Sequence, residues 1–341
     1  MMEEFIRGLY GDYFEGTILS HRVFERNIEE YEDYRIRIVV EDDQSRGLIF
    51  KGYSNDYNNL SLSNSYCTFM DSLKEGDLAV PRVYRNQSGS FAKGLSFNDK
   101  YYVFWVEERI EGITLDREEA FQVDGSFFRK IGQLLGDQHR LSRDKNLLLT
   151  CDTDFRLSPE GADENQENFK ALLEIASSYY KEEELEGLKK TYLGLRDLLS
   201  LHMNDLSYGG VQGDLSPNNI IMENQVPTCL IDYNQAGNDI YISDMIQWGT
   251  YLVYGLFNTD EEEQMKAWFE AYRRGYEDKY HMDEAEIKCF PLLYILIKYL
   301  RCDQIWRLED RVSSGDREFI KRYMTRMTEA YKIGLDAMEA E

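Results

Sequence analysis

The sequence predicts an α+β chain in two lobes, a small β-rich lobe over residues 1–109 and a larger, mainly helical lobe over 110–341. Three observations carry this. Short runs rich in β-branched and aromatic residues dominate up to residue 109. From residue 110 onward, apolar residues recur at helical spacing. One β-rich patch, Gly210 to Tyr233, interrupts the helical half.

Arg35-Ile-Arg-Ile-Val-Val40 begins with polar and apolar residues alternating, and Gly47-Leu-Ile-Phe-Lys51 follows the turn-like Glu41–Arg46, so the pair reads as a hairpin. Leu60 to Leu73 reads as a helix weakened by its Ser and Asn content. Val80–Tyr84 and Tyr101–Val106 read as two further strands, with Gly89 to Asn98 a turn-rich link between them. Phe127, Ile131, Leu134, Leu135 and Leu141 mark an amphipathic helix. Residues 165–206, 261–281, 284–307 and 315–338 read as helical, the first with Glu182-Glu-Glu184 in its middle.

The 341 residues include 39 Lys and Arg against 63 Asp and Glu, a formal charge of −24. That balance argues against a protein that wraps nucleic acid or docks on anionic lipid. An acidic surface favours cationic ligands slightly, though solubility alone explains it. The five cysteines are widely spaced with no C-x-x-C pair, which argues against a zinc knuckle or a disulfide framework and fits a reducing cytoplasm. The stretch MMEEFIRGLYGDYF carries acids where a signal peptide has a basic segment. The most apolar run, Cys289 to Ile297, is shorter than the ~20 residues a membrane span requires. His21, His202 and His281 have no metal-ligand spacing, so no zinc is expected.

The β-rich patch carries the most informative chemistry. It reads Val211-Gln-Gly-Asp-Leu-Ser-Pro-Asn-Asn-Ile-Ile-Met222, a polar turn, then Val226-Pro-Thr-Cys-Leu-Ile-Asp-Tyr233. A hairpin would bring Asn219 and Asp232 together at one end, with Asp214 on the loop leading in. Phosphoryl transfer needs this set: one carboxylate to orient a hydroxyl and take its proton, and a carboxylate and amide oxygen to hold Mg²⁺ on nucleotide phosphates.

The segment resembles the catalytic and metal loops of the aminoglycoside phosphotransferase and choline kinase superfamily, a branch of the protein-kinase-like fold. The family pattern H-G-D-[LIV]-x-x-x-N-[IL]…[IV]-D-[FWY] stands here as Q-G-D-L-S-P-N-N-I…I-D-Y, within loops spanning 210–245. The resemblance implies that Asp214 is the catalytic base and that Asn219 and Asp232 are the metal ligands. Asp244 would support the catalytic loop. Further matches fall in order along most of the chain. Lys51 stands where the family has its phosphate-binding lysine. Val80-Pro81 resembles the strand after the first helix. Val106–Gly112 resembles the hinge, whose backbone at Glu108, Arg109 and Ile110 would meet the adenine edge. Leu134–His139 and Tyr272–Tyr276 resemble family helices. The implied cofactors are Mg²⁺ and ATP or GTP.

Three departures stand out. Gln212 replaces the usual histidine, from which altered packing and not lost chemistry is expected. The nucleotide-covering loop, Asn27–Tyr34, is acidic and lacks glycine. The first-helix glutamate expected to pair with Lys51 is missing: spacing puts Tyr66 there, leaving Asp56 or Asp71 as candidate partners. Each site residue also has a bland reading. Asp214 could be a turn residue, Lys51 an ordinary strand lysine, and His139 a structural histidine near a helix end. Asp260-Glu-Glu-Glu263 reads most simply as a helix N-terminus.

The expected activity is Mg²⁺-dependent transfer of a nucleotide γ-phosphate to a hydroxyl of a small acceptor. The acceptor is expected to be aminoglycoside-like, choline-like or a sugar. A cationic one is favoured because residues 257–290 hold ten Asp or Glu against five Lys or Arg. The alternative is a catalytically degenerate kinase-like binding module. Only eleven residues separate Asp232 from Asp244, too few for an activation segment that would suit protein substrates.

Overall fold

The computed structural model describes residues 2–29, 32–55, 58–117, 123–158, 163–257 and 261–339. The chain forms two compact units, each assembled from separate stretches of sequence. The first takes Met1–Gln122, Asp144–Cys151 and Asp214–Gly237, and the second takes Val123–Arg143, Asp152–Gly213 and Asn238–Glu341. The expected cut between 109 and 110 falls inside the first unit, which also takes back the segment with Asp214, Asn219 and Asp232.

The first unit is built on a five-stranded antiparallel sheet in the order β1-β2-β3-β5-β4. Its elements are α1 (Met2–Gly11), β1 (Ile18–Ile28), β2 (Asp33–Asp42), β3 (Gly47–Ser54), α2 (Leu60–Glu75), β4 (Lys93–Phe97) and β5 (Lys100–Glu108). Strand alternation decides what each face carries. Ile36, Ile38 and Val40 of β2, Leu48 and Phe50 of β3, and Tyr102, Phe104 and Val106 of β5 form one core with Ile6, Leu9 and Tyr10 of α1. The intervening residues, among them Arg37, Lys51, Trp105 and Glu107, therefore stand on the other face. Register places Arg37 opposite Lys51 and Lys51 opposite Trp105.

Several expectations shift here. The acidic stretch read as a loop is strand at both ends: Asn27 pairs with Tyr34 and Ile28 with Asp33, while Glu30 and Tyr31 lie outside the described residues. The segment Val80–Tyr84 is not a regular strand and contributes one isolated bridge, Val83 to Glu107. Pro81 has no N–H to give a ladder. The link Gly89–Asn98 contains β4. The helix at Leu60 forms as expected, capped by the Asn59 side chain accepting from the Leu62 amide at 3.0 Å.

A three-stranded sheet in the order β6-β8-β9 completes this unit, from β6 (Ile113–Thr114), β8 (Ile220–Glu223) and β9 (Val226–Leu230). The hairpin turns on Asn224 and Gln225, at φ +51° and +65°. That backbone matches the twist of the flanking strands in a two-residue turn. Gly112, at φ +130°, brings the chain against β8: a Cβ there would lie 2.5 Å from Ile221 Cγ2 and 2.8 Å from the Met222 carbonyl oxygen. This contact joins the segment after β5 to the β8–β9 hairpin.

The second unit is mostly helical: α3 (Gly125–Asp144), α4 (Glu164–Ala176), α5 (Glu182–His202), α6 (Tyr241–Thr250), α7 (Glu262–Glu277), α8 (Glu284–Tyr299), α9 (Cys302–Ser313) and α10 (Arg317–Glu339). A short pair, β7 (Tyr208–Val211) with β10 (Gly237–Ile240), is set among them. The single helix expected over 165–206 is two. Glu182-Glu-Glu184 marks the start of α5 and not its middle, where negative charge meets free backbone N–H groups. The run 284–307 likewise breaks at Leu300–Arg301. Asp260 lies outside the described residues, and α7 begins at Glu262. No helix among the described residues is long and apolar enough to cross a membrane.

Two buried polar groups organise this unit. His139 of α3 sits with Nε2 3.2 Å from Asp244 Oδ2 and Nδ1 2.9 Å from the Tyr276 hydroxyl. Asp244 also accepts from Trp248 Nε1 at 3.1 Å. His139 is thus a structural brace between α3, α6 and α7. Asp239 accepts from the Thr153 hydroxyl at 2.6 Å and from the Ile240 amide at 2.7 Å. Burial, reinforced by Asp244, pushes its carboxyl up to about 7.

Two predictions follow from this packing. A Cβ at Gly132 would lie 2.1 Å from the Tyr272 carbonyl oxygen, so Gly132→Ala forces α3 and α7 apart. The expected cost is about 1–3 kcal/mol, read as a lower urea midpoint with an unchanged m-value. Asp239 has a folded-state pKa above its unfolded value, so the native state binds its proton more tightly and loses stability as pH rises from about 4 to about 7. Asp239→Asn is expected to flatten that part of the wild-type stability profile. Parallel profiles would contradict the assignment.

Candidate active site

The polar face of the first unit's sheet holds a cluster of buried charge. Lys51, on β3, is 4% exposed. Its Nζ lies 2.8 Å from Glu107 Oε2 and 3.1 Å from Asp232 Oδ1. Arg37, on β2, places Nη2 2.8 Å from Asp232 Oδ2. Trp105 Nε1 donates to Glu107 Oε1 at 2.7 Å and stacks on Tyr53 with centroids 5.0 Å apart. Two cations thus face two carboxylates across three neighbouring strands and the loop after β9.

The candidate partners for Lys51 are corrected by this geometry. No carboxylate comes from α2, where Tyr66 is buried at the position expected for a glutamate. Asp71 pairs with Arg85 at 3.2 Å, and Asp56 lies outside the described residues. The strand carboxylate Glu107 does the work instead. Neither Glu107 nor Arg37 was singled out from the sequence. The signal was there: both stand an even number of residues from core-opposed positions, on the face that carries Lys51.

Burial disfavours charge on Lys51, but Asp232 and Glu107 outweigh it and raise its pKa above the ordinary lysine value. Burial alone would raise the Asp232 carboxyl, yet Lys51 and Arg37 hold it below the usual carboxylate range. Asp232 also adopts φ +62°, a left-handed conformation that a non-glycine residue holds only when its surroundings enforce it.

Asp214 and Asn219 meet in the loop leading into β8. Asn219 Nδ2 donates to Asp214 Oδ2 at 2.8 Å, to the Asp214 carbonyl at 2.9 Å and to Ser216 Oγ at 3.1 Å. The Asn219 carbonyl accepts from the Ile231 amide at 2.9 Å, which ties this loop to the residue before Asp232. Asp214 is half-buried. Desolvation raises its pKa, the Asp232 charge adds to this, and the Ser216 and Asn219 hydrogen bonds oppose it. Gln212, in the histidine's place, is buried.

A cavity of about 680 Å³ opens on this cluster, lined by Arg37, Lys51, Glu107 and Asp232 and by Glu108, Arg109 and Ile110. Val39, Ile49, Ile221 and Ile231 supply apolar wall. Of the expected site residues, Lys51, Glu108, Arg109, Ile110 and Asp232 line it, and Asp214 and Asn219 do not. The hinge amides are less available than expected: Glu108 N–H donates to the Arg82 carbonyl and Arg109 N–H to the Gly47 carbonyl, both at 2.8 Å. Of the three, the Ile110 amide is the one without such a backbone bond among the described residues. The donor set fits a hard divalent cation, since the Asp232 carboxylate and the Asn219 amide oxygen are both oxygen ligands. Both Asp232 oxygens are engaged by cations, so a metal ion would share them with Lys51 and Arg37.

The structure can be compared with solved ones. It is similar to an amicoumacin kinase solved with AMP-PNP and Ca²⁺, with a TM-score of 0.61 at 14% identity over 96% of this chain and 94% of that one. The chain has the fold of the aminoglycoside phosphotransferases and choline kinases. A microcompartment-associated aminopropanol kinase matches with a TM-score of 0.56 at 15% identity, over 98% of this chain and 96% of that one. The choline kinase of Cryptosporidium parvum Iowa II matches with 0.51 at 11% identity, over 98% and 97%. No protein-family model matches the sequence, and no curated protein matches it. The phosphotransferase fold therefore persists here with little sequence identity to these structures.

Removing Lys51 tests the cluster. Lys51→Met leaves Glu107 and Asp232 without their shared cation and is expected to cost about 3–5 kcal/mol at pH 7. Because Asp232 has a lowered folded-state pKa, the stability it contributes is present above its unfolded value and is lost as pH falls through the folded one. The difference between Lys51→Met and wild type in urea unfolding is therefore expected to shrink at pH 3. An equal loss at both pH values would mean that Lys51 acts by packing alone.

Proposed function

We propose that this chain is a small-molecule O-phosphotransferase that uses a nucleoside triphosphate and a divalent cation. The observation that carries the reading is the cavity that gathers Lys51, Asp232 and Glu108–Ile110, with Asp214 and Asn219 hydrogen-bonded to each other in the adjoining loop. The fold's solved neighbours are kinases of small molecules, which supports the same class.

In this reading Asp214 orients the acceptor hydroxyl and takes its proton. Its raised pKa makes it a better base than an exposed aspartate. Asp232 and Asn219 hold Mg²⁺, which when bound neutralises charge on the nucleotide phosphates. Lys51 contacts the phosphates, and Glu107 keeps it in place. Arg37 supplies a second positive charge on the same wall. Positioning and preorganised charge provide the acceleration.

The acceptor is a small hydroxyl compound. The acidity of residues 257–290 does not single out a cation, because several of its carboxylates are already engaged. Glu270 pairs with Arg273 and Arg274, Asp278 with Arg129, and Glu286 accepts from the Tyr280 hydroxyl at 2.7 Å. A second reading, a binding module without turnover, rests on the engagement of both Asp232 oxygens by Lys51 and Arg37.

Two measurements separate the readings. Thermal unfolding with ATP or GTP at 100 times the dissociation constant should show about 2.7 kcal/mol of Mg²⁺-dependent stabilisation, lost in Asp232→Asn. ADP release with choline, aminopropanol and aminoglycosides as acceptors should fall about 10²–10⁴-fold in Asp214→Ala, with the fold intact. Mg²⁺-independent nucleotide binding and no turnover with any acceptor would favour the binding module.

A further inference from the structure

The second unit carries a pocket whose charge runs against the rest of the protein. The chain has a formal charge of −24, yet residues 291–326 hold eight Lys or Arg against five Asp or Glu. Five of these cations, Lys298, Arg307, Arg311, Arg322 and Arg326, line a pocket of about 370 Å³ between α8, α9 and α10. Two carboxylates line it as well, and both are paired: Glu262 with Arg326 at 3.1 Å and Asp316 with Arg311 at 3.4 Å. Lys298, Arg307 and Arg322 make no ion pair with Asp or Glu among the described residues.

Lys298 is held by aromatic faces in place of a carboxylate. Its Nζ lies 4.1 Å from the ring centre of Tyr254, 5.4 Å from that of Tyr294 and 5.5 Å from that of Tyr299. The guanidinium groups of Arg307 and Arg311 both lie 5.1 Å from the ring centre of Phe319, so two like charges share one ring. Arg301, close enough to act on Lys298, is 2% exposed; its Nε and Nη2 donate to Asp303 at 2.8 and 2.9 Å, and its Nη1 has no hydrogen-bond partner among the described residues. Lys298 and Arg307 are half-buried with no carboxylate partner among the described residues, and partly desolvated like charges of this kind are unfavourable unless an anion joins them.

We infer that this pocket is a binding site for a small multiply charged anion, a phosphate compound or a polycarboxylate. Arginine forks suit both chemistries. The site is independent of the Lys51–Asp232 cavity, whose residues belong to the other unit.

Protonation gives it a signature. Burial lowers the Lys298 ammonium to about 8, with Lys266, Arg301 and Arg326 pushing it down further and Glu262 opposing them. The Tyr254, Tyr294 and Tyr299 rings complete its surroundings. A bound anion restores the charge, so binding near pH 8 takes up a proton.

Isothermal titration of the full chain with pyrophosphate and with citrate, at fixed ionic strength and in two buffers of different ionisation enthalpy, tests this. Wild type is expected to bind, with proton uptake at pH 8 that Lys298→Met abolishes. Affinity should fall at least about tenfold in Lys298→Met and in Arg307→Gln. Arg322→Gln, at an exposed position, should fold as wild type and bind more weakly. Asp232→Asn should bind as wild type. Tighter binding of pyrophosphate identifies a phosphate ligand, and tighter binding of citrate a polycarboxylate. The proposal falls if wild type binds neither anion, if all three basic-site variants bind like wild type, or if Asp232→Asn alone removes binding.

Discussion

The first unit depends on the charge balance around Lys51. A lysine this buried is stable as an ammonium only if carboxylates compensate it, and Glu107 and Asp232 do so. The second of these lies 181 positions away in sequence. That one ion pair fastens the loop after β9 to the sheet. Arg37 repeats the fastening on the other carboxylate oxygen. Asp232 holds a left-handed backbone, and its two ion pairs fix the side chain that this backbone presents.

The same arrangement explains how one cavity wall forms from distant stretches of chain. The sheet supplies cations on one face, because its other face is committed to the core with α1. The hairpin β8–β9 supplies Asn219 and Asp232, and Gly112 lets the chain after β5 lie against that hairpin without a clash. The carboxylate that steadies Lys51 comes from the strand leading into the hinge. A helix carboxylate is not needed when Glu107 stands on the same face two residues beyond Trp105. The loss of one familiar residue therefore does not disconnect the lysine.

The second unit solves a different problem. Carboxylates on and beside α7 are neutralised locally by Arg273, Arg274 and Arg129, whereas the pocket between α8, α9 and α10 is lined by five Lys or Arg against two carboxylates. Net composition hides this, since a chain at −24 reads as uniformly acidic. Charge matters by where it is left uncompensated, and several of the carboxylates counted over 257–290 are paired.

The sequence by itself determined the β-then-helix order, the β2–β3 hairpin, the α2 and α3 helices and the grouping of Asp214, Asn219 and Asp232. These follow from short-range patterns: alternation, helical spacing, and the five-residue step from Asp214 to Asn219 within a hairpin. It did not reveal α1, β1 or β4, whose formation depends on a sheet partner or core that lies elsewhere in the chain. Nor did it reveal the break at Arg301. Only the tertiary structure decided that Lys51 pairs with Glu107 and Asp232, that Arg37 joins them, and that Lys298 faces rings in place of a carboxylate. A partner for a buried charge is chosen by which groups burial brings within about 3–4 Å, and sequence separation carries no information about that distance.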